Sequence, residues 1–184
     1  VVAVDYFSRA CTLAIKANLG DDVIYGALLN LSMAYRFLGD YEEALASLNK
    51  ALKLSSLSTG QRASIWNHMG VLESERANFR RAAYCGIRAY RLSLAAATGP
   101  ELQAQAAGNI VDSYLHLNAP EKAARWVVRA AWCARKATAW TNQYVALQRV
   151  AVYLALNRDR LAGRILRRME RGAIAPEFVS PFLR

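Results

Sequence analysis

One helical pattern comes round four times along this 184-residue chain. Its clearest copy is Tyr25 to Leu54, YGALLNLSMAYRFLGDYEEALASLNKALKL. Small and large apolar residues recur there at set offsets on two helices joined by the turn Gly39-Asp40. Further copies start near Ala63, Ala104 and Gln143, so successive starts lie 38, 41 and 39 residues apart. Self-similarity at that period, with two helices per unit, marks an α-solenoid. A single helix pair cannot bury its apolar face alone, so each pair must stack on the next. Chains of this kind hold other molecules more often than they do chemistry.

The remaining composition agrees. Apolar residues make up 54% and charged residues 21%, which excludes a disordered chain. Alanine is abundant and there are only 4 prolines, which favours helix over sheet. No Val-Ile-Thr alternation bounded by glycine occurs, so no strand is expected. The fold class is therefore all-α, built from antiparallel helix pairs.

The helices place themselves. Residues 1–19 read as one helix with Phe7, Cys11, Ala14 and Ile15 on a single face, the second half of a repeat. Four repeats follow at 22–54, 61–97, 101–137 and 140–171. Asp21-Asp22, Asp40 and Asn78 sit where helix N-caps belong, Gly39 where a left-handed turn is needed, and Pro100 and Pro120 where helices open. Gly172 is expected to stop the last helix. The tail, residues 173–184, carries Phe178, Val179 and Phe182 and reads as extended. Thr98-Gly99-Pro100 is the sharpest break, but no linker is long enough to separate domains, so residues 1–172 are expected to form one solenoid. The chain opens inside a helix, as a piece of a longer protein would.

These slots resemble tetratricopeptide repeats. That motif asks for a large apolar residue, Leu, a small residue and an aromatic in the first helix. A Gly turn and an aromatic come next, and then Ala, a large residue and Ala in the second helix. The first repeat supplies Leu28, Leu31, Ser32, Tyr35, Gly39, Tyr41, Ala44, Leu48 and Ala51. The second supplies Trp66, Met69, Gly70, Phe79, Ala82 and Ala89, but departs at Glu73 and Ala77. The third supplies Ile110, Tyr114, Ala123, Val127 and Ala130, with Asn118 and Pro120 at the turn. The fourth keeps Tyr153, Asn157, Ala162 and Leu166, but Arg149 falls on a slot that should be buried. The resemblance implies a right-handed superhelix. The repeats exceed the usual 34 residues, and in this they resemble the sensor regions of large bacterial regulators such as LuxR-type activators.

In that family the first helices line the concave face and bind a protein or peptide. The resemblance assigns that face to Leu29, Asn30, Met33, Arg36, Asn67, Val71, Glu75, Gln105, Asn109, Asp112, His116, Tyr144 and Leu147. Asn30 and Asn109 occupy equivalent slots, where an amide can both donate to and accept from a peptide backbone. The alternative is that they only bridge neighbouring helices. The lysines by which some members clamp a C-terminal carboxylate are missing, since Gly26 and Ser64 hold those slots.

Formal net charge is +10. Residues 1–92 contribute +3 and residues 93–184 contribute +7. The last helix carries Arg160, Arg164, Arg167, Arg168 and Arg171 on or beside one face, opposite Leu161, Ile165, Leu166 and Met169. A terminal solenoid helix needs such a polar face for solubility. Nucleic acid ranks behind that reading, because aromatics are not interleaved with the arginines. Self-association, through the 173–184 tail, is a further alternative.

Catalysis is not expected. His68 and His116 are the only histidines, and neither has metal-ligand spacing. Phosphate loops and nucleophile elbows are missing, so no cofactor or metal is implied. Cys11, Cys85 and Cys133 match no redox motif and read as buried thiols. No signal peptide or apolar span is visible, which points to a cytoplasmic protein without membrane contact.

Overall fold

The computed structural model describes residues 2–173, and the tail from 174 to 184 lies outside the described residues. Nine α-helices and no strand occur among the described residues: α1 (Val2–Lys16), α2 (Asp21–Leu38), α3 (Tyr41–Leu52), α4 (Thr59–Glu75), α5 (Phe79–Ala95), α6 (Pro100–His116), α7 (Pro120–Ala134), α8 (Ala139–Ala155) and α9 (Asp159–Arg168). A π-helical turn, Met169–Ala173, follows α9. The chain divides into two compact units, Val1–Ala97 and Thr98–Arg184. The division falls at the Thr98-Gly99-Pro100 break.

Within each repeat the link between helices is the same device. Gly39 is left-handed, with φ 80°. Its N–H donates to the Arg36 carbonyl and the Asp40 N–H to the Tyr35 carbonyl, each at 3.0 Å. This is the paired bonding that satisfies the last carbonyls of a helix. Ala77, Asn118 and Asn157 repeat it, with φ of 59°, 52° and 55°. Their followers Asn78, Ala119 and Arg158 donate to the carbonyls of Glu73, Tyr114 and Tyr153.

Three of these four residues suit a left-handed backbone and Ala77 does not. A Cβ there costs roughly 1–2 kcal/mol, partly offset because glycine loses more entropy on folding. Ala77→Gly is therefore expected to stabilise the Val1–Ala97 unit by about 1 kcal/mol. Urea unfolding should show a higher midpoint, and an unchanged or lower midpoint would refute the argument.

Several expected caps act differently. Asp40 and Asn78 precede α3 and α5 but accept no capping hydrogen bond. Their ψ values of 66° and 61° depart from the extended backbone that aims a cap oxygen at the helix. Genuine caps occur at Ser58, in a reciprocal capping box with Gln61, and at Thr138. Pro100 and Pro120 open α6 and α7 as their missing N–H allows. Gly172 does not end the last helix at its own position, because the π turn continues through Ala173. On α1, Cys11 and Ala14 are buried and Phe7 is half-buried, but Ile15 is exposed, one residue past the buried stripe.

The Val1–Ala97 unit packs α1 on α2, α2 on α3, α3 on α4 and α4 on α5. Its core joins Leu28, Leu31, Leu48, Ile65, Met69 and Leu72. Gly70 allows α4 and α5 to come close: a Cβ there would already touch the Ala82 carbonyl at 3.4 Å and the Gly86 nitrogen at 3.5 Å. The Thr98–Arg184 unit packs α6 on α7, α7 on α8 and α8 on α9, with α6 also against α8. Val111, Ala123, Val127 and Val152 form its core cluster. Cys11, Cys85 and Cys133 are buried, on α1, α5 and α7. Burial, with Glu73 nearby, pushes the Cys85 thiol up to about 11.

Acidic residues tie successive repeats together. Asp21 Oδ2 accepts from the Ser56 N–H at 2.8 Å and from the hydroxyls of Ser55 and Ser56. Asp22 Oδ1 accepts from Gln61 Nε2 at 2.7 Å. In the second unit Glu101 accepts from the Thr138 N–H at 2.9 Å, from the Thr138 and Thr141 hydroxyls, and from Gln105. The serine bonds, the Ser56 N–H first, hold Asp21 below its ordinary range. Burial opposes ionisation of Glu101, but the combined hydrogen bonds outweigh it and lower its pKa.

Candidate functional site

In each unit the first helices of the repeats carry the residues expected to meet a partner. In the Val1–Ala97 unit these lie on α2 and α4. Leu29, Met33 and Val71 are half-buried, Asn30 is exposed and Asn67 is buried. Arg36 and Glu75 are joined to each other: Arg36 Nε donates to both carboxylate oxygens of Glu75, each at 2.9 Å. A forked pair of this kind fixes α2 against α4. It also engages two groups expected to be open to a ligand. His68 lies beside it. Burial first, and then the Arg36 charge, lowers the His68 pKa, so its ring is neutral at pH 7.

In the Thr98–Arg184 unit the corresponding helices are α6 and α8. Tyr144 donates its hydroxyl to Asp112 Oδ2. Gln148 Nε2 donates to Asp112 Oδ1 at 2.8 Å and to the Gly108 carbonyl at 2.9 Å. Trp140 stacks on Tyr144 with centroids 5.6 Å apart and planes 6° from parallel. Gln105 donates to Glu101 at 3.1 Å. Asn109 and Leu147 are half-buried and His116 is exposed. Asp112, Tyr144 and Gln148 are therefore already joined in one hydrogen-bonded group.

Two further members of this face were not anticipated from the sequence. The repeat offsets place His68 and Gln148 in the slot of Asn30 and Asn109, so one polar ring or amide recurs in every repeat. The offsets themselves carried that signal. Gln148 is buried and Gly108 makes room for it: a Cβ on Gly108 would lie 2.9 Å from Gln148 Oε1. That oxygen is buried with no hydrogen-bond partner among the described residues.

Desolvation raises the Asp112 pKa, and the bonds from Tyr144 and Gln148 only partly oppose it. A carboxyl whose folded pKa is raised favours the fold below its unfolded value, near 3.9, and loses that contribution as pH rises through the folded value. The Thr98–Arg184 unit is thus expected to gain stability on going from pH 7 to about pH 4, close to that unfolded value. Asp112→Asn should abolish that share of the gain. Thermal melts of both proteins at the two pH values check this, and an equal pH response in both would refute it. Asp21 and Glu101, with lowered pKa values, act with the opposite sign and lose their contribution only as pH falls below the ordinary carboxylate range.

Arg160, Arg164, Arg167, Arg168 and Arg171 are all exposed at the end of the second unit. No group of three or more His, Cys, Asp or Glu is placed to hold a metal among the described residues. No described helix is long and apolar enough to cross a membrane.

The tetratricopeptide-repeat family model matches residues 25–56. BtubC of P. vanneervenii has a similar structure, with a TM-score of 0.72 at 18% identity, over 95% of this chain and 78% of BtubC. Two structures of the nearly identical TPR-like repeats of a Podosopora anserina protein described as a kinesin light chain give 0.74 and 0.72. Each is 12% identical, over 91% of this chain and 84% of that one. A search of curated proteins finds no match to the sequence. The architecture is therefore all-α and of the helix-pair solenoid class. Residues 25–56 are a tetratricopeptide repeat, and the chain has the fold of tetratricopeptide-like repeat proteins.

Proposed function

We propose that the chain is a non-enzymatic binding scaffold that recognises a protein or peptide on the faces of its first helices. It would serve as a cytoplasmic module of a larger regulatory protein. The observation that carries this reading is the polar slot that recurs at Asn30, His68 and Asn109 among half-buried apolar residues such as Leu29, Met33 and Leu147, its fourth member Gln148 being buried and held by Gly108 and Asp112. Within each unit, apolar surface provides area and a polar side chain provides a donor or acceptor for a peptide backbone. Asn30 is the exposed member of the set and the one to test first. Arg36, Asp112 and Tyr144 hold the helices that present this slot. Fold alone does not select a ligand.

The test is a pull-down with the whole chain as bait at low and high salt, reading protein and nucleic acid together. A protein partner retained at high salt is expected, with at least tenfold weaker binding, about 1.4 kcal/mol, for Asn30→Ala or Asn109→Ala. Retention of nucleic acid alone, released by salt, would instead assign function to the exposed arginines from Arg160 to Arg171. Self-association through residues 173–184 concerns a segment almost wholly outside the described residues, and concentration-dependent mass would test it.

A further inference from the structure

The fourth repeat breaks the pattern at one core slot. Offsets of 38, 41 and 39 residues place Leu31, Met69, Ile110 and Arg149 in equivalent positions. The first three are buried apolar side chains. Arg149 is half-buried and lines a trough of about 380 Å³ between α7, α8 and the end of α9, within the Thr98–Arg184 unit. The repeat keeps its register, because Asn157 makes the same left-handed turn as Gly39. The trough therefore follows from the residue and not from a slipped helix.

Its lining combines two kinds of chemistry. Val128, 65% exposed, and the half-buried Ala131 and Ala146 give it an apolar wall, behind which Val127 and Val145 are buried. Trp132 stands at the rim, 63% exposed, and Tyr153 lines it farther along α8. Arg135 just after α7, Arg149 on α8 and Arg168 at the end of α9 bring three guanidinium groups, and no carboxylate lines the trough. None of the three pairs with a carboxylate among the described residues. Arg135 and Arg168 are exposed and Arg149 is half-buried, so its stem occupies the core slot while its guanidinium lines the open trough, and the three charges face a common space.

We propose that this trough binds an acidic peptide segment bearing an apolar side chain. The guanidinium forks match carboxylates, and Val128 and Trp132 receive the apolar anchor. Its shape favours a chain over a compact anion. Lining residues run from Asn142 to Tyr153 along α8, roughly 16 Å at the helical rise per residue and so about five residues of extended peptide. The site lies apart from the repeated polar slot and goes beyond the first-helix reading.

The test is calorimetric titration of the whole chain, in physiological salt, with the blocked pentapeptide DLDFD, its uncharged counterpart NLNFN, and ATP. DLDFD is expected to bind at least about tenfold tighter than NLNFN. Arg135→Gln and Arg149→Leu should each weaken DLDFD at least about fivefold, while Arg160→Gln, outside the trough, leaves it unchanged. Arg149→Leu restores the residue type of the other repeats, so it should also raise the melting temperature, which separates lost binding from lost folding. Failure of DLDFD to bind would overturn the proposal, as would equal binding of NLNFN or an equal loss with Arg160→Gln. Displacement of DLDFD by equimolar ATP would assign the trough to compact anions and equally overturn it. Because Asn30 and Asn109 take no part, variants there should leave DLDFD binding unchanged, whatever they do to a first-helix partner.

Discussion

Glu73→Ala is expected to destabilise the Val1–Ala97 unit by about 2–4 kcal/mol. Glu73 occupies the slot that Tyr35, Tyr114 and Tyr153 fill in the other repeats, and it is buried. Its carboxylate accepts from Arg81 Nε at 2.8 Å, Arg76 Nη1 at 3.4 Å and Asn78 Nδ2 at 3.2 Å. Arg76 also pairs with Glu42 on α3, so the cluster joins α3, the end of α4 and α5. Alanine removes the anion, leaves three donors without their acceptor and opens a cavity. The loss stays below the extreme for a broken buried pair because the Arg81 and Arg76 side chains are 65% and 31% exposed and can turn to water. Glu73→Tyr should cost clearly less, since a ring fills this slot in the other three repeats. Urea unfolding, with hydrogen exchange of the α4 and α5 amides, measures both. A change under about 0.5 kcal/mol for Glu73→Ala would mean the cluster contributes nothing net.

Why the helices were legible and the site only partly so follows from the range of the forces involved. Helix ends are set locally. Gly39, Asn118, Asn157, Pro100 and Pro120 each act on the backbone within a few residues, and the observed helices lie close to the expected spans. Cap chemistry at Asp40 and Asn78 was misjudged because a residue following a left-handed turn already has its N–H bonded backwards, with a ψ unlike that of an extended cap. The pairings that shape the candidate face join residues 32 to 40 positions apart: Tyr144 with Asp112, Gln148 with Asp112 and Gly108, and Arg36 with Glu75. Such partners depend on how one repeat rests on the next, which a single-repeat pattern does not encode. Departures from the pattern were the better guide. Glu73, Ala77 and Arg149 each violate a slot, and each marks an ion cluster, a strained turn or an open trough.

Gly108→Ala tests whether the buried amide of Gln148 is a constraint or a passenger. Alanine in a helix interior gains about 0.5–1 kcal/mol over glycine. Here the new Cβ would stand 2.9 Å from Gln148 Oε1, 3.2 Å from its Nε2 and 3.3 Å from Tyr144 Cε1. The amide would have to withdraw, giving up its bonds to the Gly108 carbonyl and Asp112 and leaving Asp112 Oδ1 without that donor and the amide itself unpaired. That costs about 1–3 kcal/mol for each unsatisfied group, so the expected net effect is a loss of about 1–2 kcal/mol. In a Gln148→Ala background the amide contacts are gone and only the Tyr144 contact at 3.3 Å remains, so the same substitution should stabilise by up to about 0.5–1 kcal/mol. The two substitutions are thus coupled by about 1.5–3 kcal/mol, well beyond the scatter of independent sites. Urea unfolding of the four proteins, followed through the tryptophans of the Thr98–Arg184 unit, yields the coupling directly. If alanine at 108 stabilises in both backgrounds, the Gln148 amide moves aside freely. Gln148 would then be available to a ligand and not committed to holding α8 against α6.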